Sequence, residues 1–316
     1  MRVLFWGTPE FATPPLRALL GEGFDVVGVI TQPDKPIGRS RSTLHAPPIK
    51  LIAEDEGIPV FQPEKPRGPE FLGAVHALDP DVSVVVAYGH ILPKAAIDLP
   101  RLGTFNIHAS LLPELRGAAP IQAAIREGHE RTGVTIMRVV PALDAGPILH
   151  QVATPIADDE TFGELSLRLS ELGALAVIEA LSLIAVGKVV EVEQDESRAT
   201  FAPKVDREAA CIDWMVDAVA VSRMVRAYDP RPGAFTRLRG SEVKLFGARP
   251  TPKAGGTPGE VLEIGEDGMT VACAGGAVRI VAVQPAGKKR MSPEEWARGR
   301  GLAVGDRFAP TVNAPV

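Results

Sequence analysis

Asn106 and His108, in Thr104-Phe105-Asn106-Ile107-His108, are the polar pair in this chain best placed to do chemistry. Side chains in a strand alternate faces, so Thr104, Asn106 and His108 share one side while Phe105 and Ile107 take the other. A histidine in isolation is more often a hydrogen-bonded core residue than a catalyst. An Asn-x-His pair at a strand end, running straight into the loop Ser110-Leu111-Leu112-Pro113, shifts that balance, because ligands of open parallel sheets sit beyond the carboxyl ends of the strands. Asp144, in the turn Leu143-Asp144-Ala145-Gly146-Pro147, is a third partner able to reach the same crevice. Asparagine cannot titrate and serves as a neutral donor, whereas histidine beside a carboxylate can hold or pass a proton. The three together suit a tetrahedral transition state: Asn106 and a protonated His108 stabilise the developing oxyanion, and Asp144 orients the imidazole and helps take the proton from an attacking amine. No nucleophilic Ser or Cys is needed, which favours direct transfer to an amine over a covalent acyl-enzyme. Ser110 is the rival nucleophile, but no G-x-S-x-G elbow surrounds it.

The surrounding pattern supplies the elements that must hold these groups. Val3 to Trp6, Val26 to Thr31, Val82 to Ala87, Thr104 to Ala109 and Val134 to Val140 are expected strands, most of them nearly continuous in apolar character and therefore buried on both faces. Helices are expected at Pro14 to Leu20, Pro48 to Glu56, Pro69 to Leu78, Pro120 to Glu127 and Thr161 to Val186, the first four opening with a proline at little cost. This alternation predicts an α/β fold with a mainly parallel, doubly wound sheet. Gly7-Thr8-Pro9 follows the first strand, but the G-x-G-x-x-G spacing of a dinucleotide site is absent, so NAD is not expected. Residues 188–207 crowd Glu191, Glu193, Asp195 and Glu196 into a stretch with little apolar periodicity, the pattern of a solvated linker. Beyond it, a helix at Val216 to Tyr228 and five short strands suggest a small β-barrel, and Ser292-Pro293-Glu294-Glu295 has the form of a capping box. The expected domains are thus residues 1–187 and 208–316.

Composition narrows the class. With 45% apolar and 23% charged residues the chain should bury a real core, and no apolar run approaches the ~20 residues a bilayer requires. Neither region of a signal peptide is visible at the N-terminus, which predicts a cytoplasmic protein. Cys211 and Cys273 form no cluster with histidine, so neither a disulfide nor a metal site is expected. Residues 1–203 carry 17 Lys and Arg against 26 Asp and Glu, whereas residues 204–316 carry 17 against 13. A basic C-terminal part on an acidic body is one way to hold a polyanion near an active site.

Read together, Asn106-x-His108-x-Ser110-Leu111-Leu112-Pro113-x-x-Arg116-Gly117-Ala118-Ala119-Pro120-Ile121-Gln122 resembles the folate-dependent formyltransferases. The likeness is reinforced, in family order, at Gly7-Thr8-Pro9-Glu10-Phe11, Thr31-Gln32-Pro33-Asp34, Val86-Ala87-Tyr88-Gly89, Gly133-Val134-Thr135-Ile136-Met137, Ile212-Asp213-Trp214 and Gln284-Pro285-Ala286-Gly287-Lys288-Lys289, and so covers essentially the whole chain. The resemblance implies a Rossmann-like catalytic domain, a C-terminal domain similar to an OB-fold, and transfer of the formyl group of 10-formyltetrahydrofolate to the methionine amine of initiator methionyl-tRNA. It implies Asn106, His108 and Asp144 as the catalytic set, and a folate lying along Ser110, Leu111, Leu112 and Pro113 and the backbone of Val86, Ala87, Tyr88 and Gly89. Lys35, Arg39, Arg41, Arg116, Lys204, Lys288, Lys289 and Arg290 are the implied tRNA contacts, with Arg39 on a basic loop that could wedge into the acceptor end. A monomer is implied, with no metal and no membrane partner. Glu114 and Arg231 depart from the family pattern, at positions where a basic residue and a tryptophan are common. Rival readings keep the chemistry but change the acceptor, to glycinamide ribonucleotide, an amino sugar or water, or make the chain a non-catalytic RNA-binding module.

Overall fold

The computed structural model describes residues 1–36, 44–252 and 255–309. They fall into two compact units, one of Met1–Gly117, Thr132–Thr154 and Ser166–Ala202, the other of Ala118–Arg131, Pro155–Leu165 and Pro203–Val316.

The first unit is built on a seven-stranded sheet. In chain order its strands are β1 (Arg2–Gly7), β2 (Asp25–Ile30), β5 (Val60–Phe61), β6 (Val82–Val86), β7 (Thr104–His108), β8 (Arg131–Arg138) and β9 (Ile148–Pro155). A separate two-residue ladder joins β3 (Lys35–Pro36) to β4 (Leu44–His45). The spatial order is β5-β2-β1-β6-β7-β8-β9. From β5 to β7 every pairing is parallel, and β8 joins β7 antiparallel. The order reverses at β1, whose neighbours are β2 and β6, which makes the carboxyl ends of β1 and β6 the natural crevice. Val3, Leu4, Phe5 and Trp6 are all buried, as expected of a central parallel strand covered on both faces. Trp6 meets Phe71 and Tyr88 edge to face, with centroids 6.1 and 5.3 Å apart.

Helices α1 (Thr13–Gly21), α2 (Pro48–Asp55), α3 (Pro69–His76) and α5 (Pro120–Glu127) all carry proline in the first turn, while α4 (Lys94–Ile97) is a single turn. The long helix α6 (Phe162–Ala185) stops before Gly187, which takes φ +65°. Strands β5 and β9 escape the sequence pattern. The first is two residues long, and β9 alternates intermediate with exposed positions after Leu149, the mark of a sheet edge rather than of its buried centre. Segment 191–202 makes specific contacts with the first unit: Val192 exchanges backbone hydrogen bonds with Ile148, and Arg116 does so with Thr200 and Ala202.

The second unit carries the antiparallel sheet β10-β11-β14-β13-β12, from β10 (Ala234–Leu238), β11 (Ser241–Thr251), β12 (Val261–Gly265), β13 (Gly268–Ala272) and β14 (Ala277–Pro285). Helix α7 (Ala218–Ala227) is capped by Asp217, which accepts from the Ala220 amide at 2.8 Å, and α8 (Pro293–Arg298) opens on the capping box of Ser292 and Glu295. The last described segment closes the sheet. Phe308 N and Val261 N bond to Gly259 O and Asp306 O on the β12 side, and Ala309 N bonds to Arg237 O on β10. Trp214 stacks on Phe308 at 5.7 Å beneath it and donates to Thr236. No helix among the described residues is long and apolar enough to cross a membrane.

Candidate active site

Strand β7 carries its polar face as its alternation demands, but its three polar residues end differently. Thr104 spends its hydroxyl on the Ile97 carbonyl at 2.7 Å and belongs to the scaffold. Asn106 is half-buried, and its carboxamide has no partner among the described residues, which leaves two donors and an acceptor for a ligand. His108, 5% exposed, sits at the carboxyl end with Nε2 3.0 Å from the Leu115 carbonyl. A carbonyl can only accept, so Nε2 carries the proton and the ring is oriented by the main chain rather than by a carboxylate. Nδ1 faces Asp144 Oδ2 across 3.7 Å, too far for a hydrogen bond, so this edge of the ring is open toward the carboxylate.

Asp144 occupies the turn between β8 and β9 with φ +48°, a left-handed conformation that costs a residue with a Cβ. Its Oδ2 accepts from the Gly117 amide at 2.8 Å, while Oδ1 has no partner among the described residues. Gly117 is required there. With φ +121°, a Cβ would lie 2.6 Å from the Ala202 carbonyl oxygen.

Arg116 corrects an expectation. Its guanidinium is 4% exposed, donates from Nε and Nη2 to Gln194 Oε1 at 3.1 and 2.8 Å, and meets Glu196 in a bidentate pair at 2.9 and 2.8 Å. These bonds hold the Glu196 carboxyl below its usual range. A fork enclosed in this way is not available to a tRNA phosphate. Gln194 passes the contact on, donating to the carbonyls of Asp144 and Gly146 at 2.8 and 2.7 Å.

The two segments assigned to folate sit at the same end of the sheet. Register pairs Gly7 with Val86 and Val85 with Asn106, so residues 86–89 leave β6 beside the Asn106 end of β7. Val86 and Tyr88 are buried, while Ala87, with φ +47°, and Gly89, with φ +89°, are exposed and turn the main chain outward. Thr8 and Gln32 donate to the Tyr88 carbonyl at 3.0 and 3.2 Å, tying the ends of β1, β2 and β6 together. Burial pushes the Tyr88 hydroxyl up to about 12, and its oxygen has no partner among the described residues. The loop of Ser110, Leu111, Leu112 and Pro113 is equally fixed. Thr135 donates to Ser110 O at 2.7 Å and accepts from Leu112 N, and Gln151 donates to Leu112 O at 2.8 Å. Ser110 gives its hydroxyl proton to Glu114 O at 2.6 Å, with no base beside it, the arrangement of a loop brace rather than a nucleophile.

The formyl transferase sequence profile matches residues 1–181, and the profile of the formyl transferase C-terminal domain matches residues 204–301. The chain belongs to the formyl transferase family. Relatives named methionyl-tRNA formyltransferase include that of Methylococcus capsulatus, 47% identical over 96% of this chain and 98% of its own length, and that of Geobacillus thermodenitrificans, 46% identical over 97% of each. Among solved structures, HypX from Aquifex aeolicus in complex with tetrahydrofolic acid superposes with a TM-score of 0.68 at 22% identity, over 98% of this chain but only half of HypX. An N-formyltransferase from Helicobacter canadensis, bound to folinic acid and dTDP-3-aminofucose, reaches 0.67 at 16% identity, over 90% of this chain and 98% of its own. At those identities the likeness is one of fold.

In this formyl transferase the remaining basic residues assigned to RNA fall into three groups. Lys35 is exposed and bonds Gln32, while Arg39 and Arg41 lie outside the described residues. Lys204, Lys288 and Lys289 are exposed in the second unit, the latter two on a turn where Gln284 bonds the Lys288 carbonyl. Arg290 is half-committed, lying 4.1 Å over Phe246 and 3.4 Å from Asp229. Sequence reasoning missed the Leu115 carbonyl, the Gly117 amide and Gln194. Only Gln194 has a side chain to notice, and it stands among acidic neighbours that read as solvated. Among the described residues no group of three or more His, Cys, Asp or Glu is placed to hold a metal ion.

Proposed function

We propose that this formyl transferase moves the formyl group of 10-formyltetrahydrofolate to the free amine of methionine on initiator methionyl-tRNA, giving N-formylmethionyl-tRNA. The observation that carries this reading is near-full-length identity of 45–47% with enzymes named methionyl-tRNA formyltransferase, joined to an Asn-His-Asp arrangement able to serve attack by an amine. The residues present fit a folate. The outward turn at Ala87 offers main-chain groups at the end of β6, and the braced Ser110–Pro113 loop offers a second wall. When bound there, 10-formyltetrahydrofolate supplies the formyl carbon and the leaving nitrogen.

The chain's own groups then divide the work. The Asn106 carboxamide donates to the formyl oxygen as negative charge gathers on it, and it needs no rearrangement because nothing else among the described residues holds it. The proton released by the attacking amine passes to the pair formed by His108 Nδ1 and Asp144. Because Nε2–H is fixed on Leu115 O, Nδ1 is the ring position that can gain and return that proton. Asp144 stabilises the imidazolium through the 3.7 Å approach of Oδ2, and Oδ1 remains free to accept from the amine. The same proton returns to the departing folate nitrogen, so no net proton is consumed. Exposed Lys35, Lys204, Lys288 and Lys289, with Arg39 and Arg41, are the cations assigned to tRNA phosphates. Likeness to the family assigns the enzyme to the cytoplasm and to a monomeric state.

The test is to incubate the protein with 10-formyltetrahydrofolate and initiator or elongator methionyl-tRNA, release the amino acid and look for N-formylmethionine by mass spectrometry. Product with the initiator alone is expected. Intact donor with tetrahydrofolate still bound, and formylation of an amino sugar or glycinamide ribonucleotide instead, would overturn the acceptor.

A further inference from the structure

Gln194 uses every hydrogen-bonding position of its carboxamide, two bonds to Arg116 and two to the turn that carries Asp144. Its oxygen accepts twice from Arg116, at 3.1 and 2.8 Å, which settles which end is oxygen because a guanidinium only donates. Its nitrogen donates to the carbonyls of Asp144 and Gly146 at 2.8 and 2.7 Å. These two carbonyls bracket a segment of constrained main chain: Asp144 has φ +48°, and Gly146 lies so close to Arg138 that a Cβ would meet its carbonyl oxygen at 1.8 Å. The support is itself anchored on either side, by the Ile148–Val192 bridge before Gln194 and the Arg116–Phe201 bridge after it. Asp144 is therefore held by its carboxylate through Gly117 and by its main chain through Gln194, and Arg116, the residue before Gly117, joins the two.

We propose that Gln194, backed by Arg116, is a positioning residue for formyl transfer, setting the Asp144 carboxylate against His108. The inference rests on the proposed reaction, in which Asp144 takes part in proton transfer. A small displacement of such a group costs rate more than binding, on the order of 10²-fold for ~1 Å. Gln194 touches neither the folate segments nor the exposed lysines, so its loss should leave the affinity for both substrates in place.

The isosteric Gln194→Glu keeps the acceptor for Arg116 but turns an oxygen toward two carbonyls; Gln194→Met keeps length and removes both functions. For each, kcat would be measured by mass spectrometry of N-formylmethionine, with KM for both substrates, tetrahydrofolate affinity and Tm alongside, singly and in an Asp144→Asn background under single-turnover conditions. We expect kcat to fall by roughly 10- to 100-fold, both KM values to stay within about two-fold, and no further loss when either change is added to Asp144→Asn. Wild-type kcat in both variants, with Asp144→Asn impaired, would make Gln194 a mere fastening of the chain and overturn the inference while sparing the proposed reaction. A loss that multiplies with that of Asp144→Asn, or that appears in both KM values, would overturn it equally. Full activity of Asp144→Asn would remove the reaction scheme and the inference together.

Discussion

The imidazole of His108 is anchored through one nitrogen and left open at the other: Nε2 lies 3.0 Å from the Leu115 carbonyl, and Nδ1 looks across 3.7 Å at Asp144. A ring bound in this way cannot flip without losing a buried hydrogen bond, so its reactive edge is set by a main-chain atom that no side-chain substitution removes. Replacing His108 by Asn is expected to lower kcat by at least ~10²-fold, within the range typical of a lost general base, with tetrahydrofolate affinity retained. Equilibrium binding measured beside the formylation assay checks both halves.

Asn106 offers the unpartnered donor for the developing oxyanion. Asn106→Ala should reduce kcat by about 10²- to 10³-fold with little change in KM, the signature of an interaction made in the transition state. A rise in KM at constant kcat would instead mark Asn106 as a ground-state binding residue.

Gly117 joins a φ of +121° to a close approach to Ala202 and donates its amide to Asp144. Gly117→Ala is expected to destabilise the protein by roughly 1–3 kcal/mol, the usual cost of a side chain held in such a conformation, and to cost activity by freeing the Asp144 carboxylate. Thermal melting and kcat on one preparation would show whether the two losses travel together.

Lys288 and Lys289 should act on RNA alone. Their joint replacement by Ala is expected to raise KM for tRNA and to flatten its dependence on salt, by roughly one unit of log–log slope for each phosphate that is no longer neutralised, leaving kcat in place. Arg116→Ala should do the reverse, lowering kcat and keeping the salt slope, because its guanidinium is buried on Gln194 and Glu196. Titrating KM from about 50 to about 200 mM salt separates the two classes.

Glu191 binds Arg138 in the first unit, with Nε to Oε2 at 2.8 Å, and that hydrogen bond holds its carboxyl below the usual range. A depressed carboxylate contributes stability above its unfolded value of about 4.3 and loses it as pH falls through the lower, folded value. Glu191→Gln should therefore lower Tm near neutral pH, with the gap to the wild type closing once pH drops well under ~4. A gap that stays constant down to acid pH would mean that the ion pair contributes nothing.

How much of this is legible in sequence depends on the range of the interactions. Strands β1 and β6 are written as mostly apolar runs because they are buried on both faces, and the shared face of Asn106 and His108 on β7 follows from strand periodicity alone. Asp144 is suggested by its place in a turn. The partners that make these residues a site are different in kind. Leu115 and Gly117 act through main-chain atoms, which every residue has, and Gln194 reaches Asp144 across 50 residues from a stretch whose acidity looks like solvation. Arg116 misleads for the same reason: its guanidinium looks like a phosphate ligand until Gln194 and Glu196, some 80 residues away, are seen to enclose it. The edge strand β9 is missed because one of its faces turns Gln151, Ala153 and Pro155 to water.

The closing segment of the second unit has a consequence for biosynthesis. Residues 305–309 bond to both flanks of an otherwise open antiparallel sheet, at Gly259 and Val261 on one side and Arg237 on the other. On the ribosome, β10 through β14 emerge before that segment does, so the nascent sheet waits with two unpaired edges, the form most open to wrong pairing with neighbouring chains. The first unit's strands, all encoded before Pro203, face no such delay. Completion of the second unit's sheet is thereby tied to the synthesis of residues 305–309.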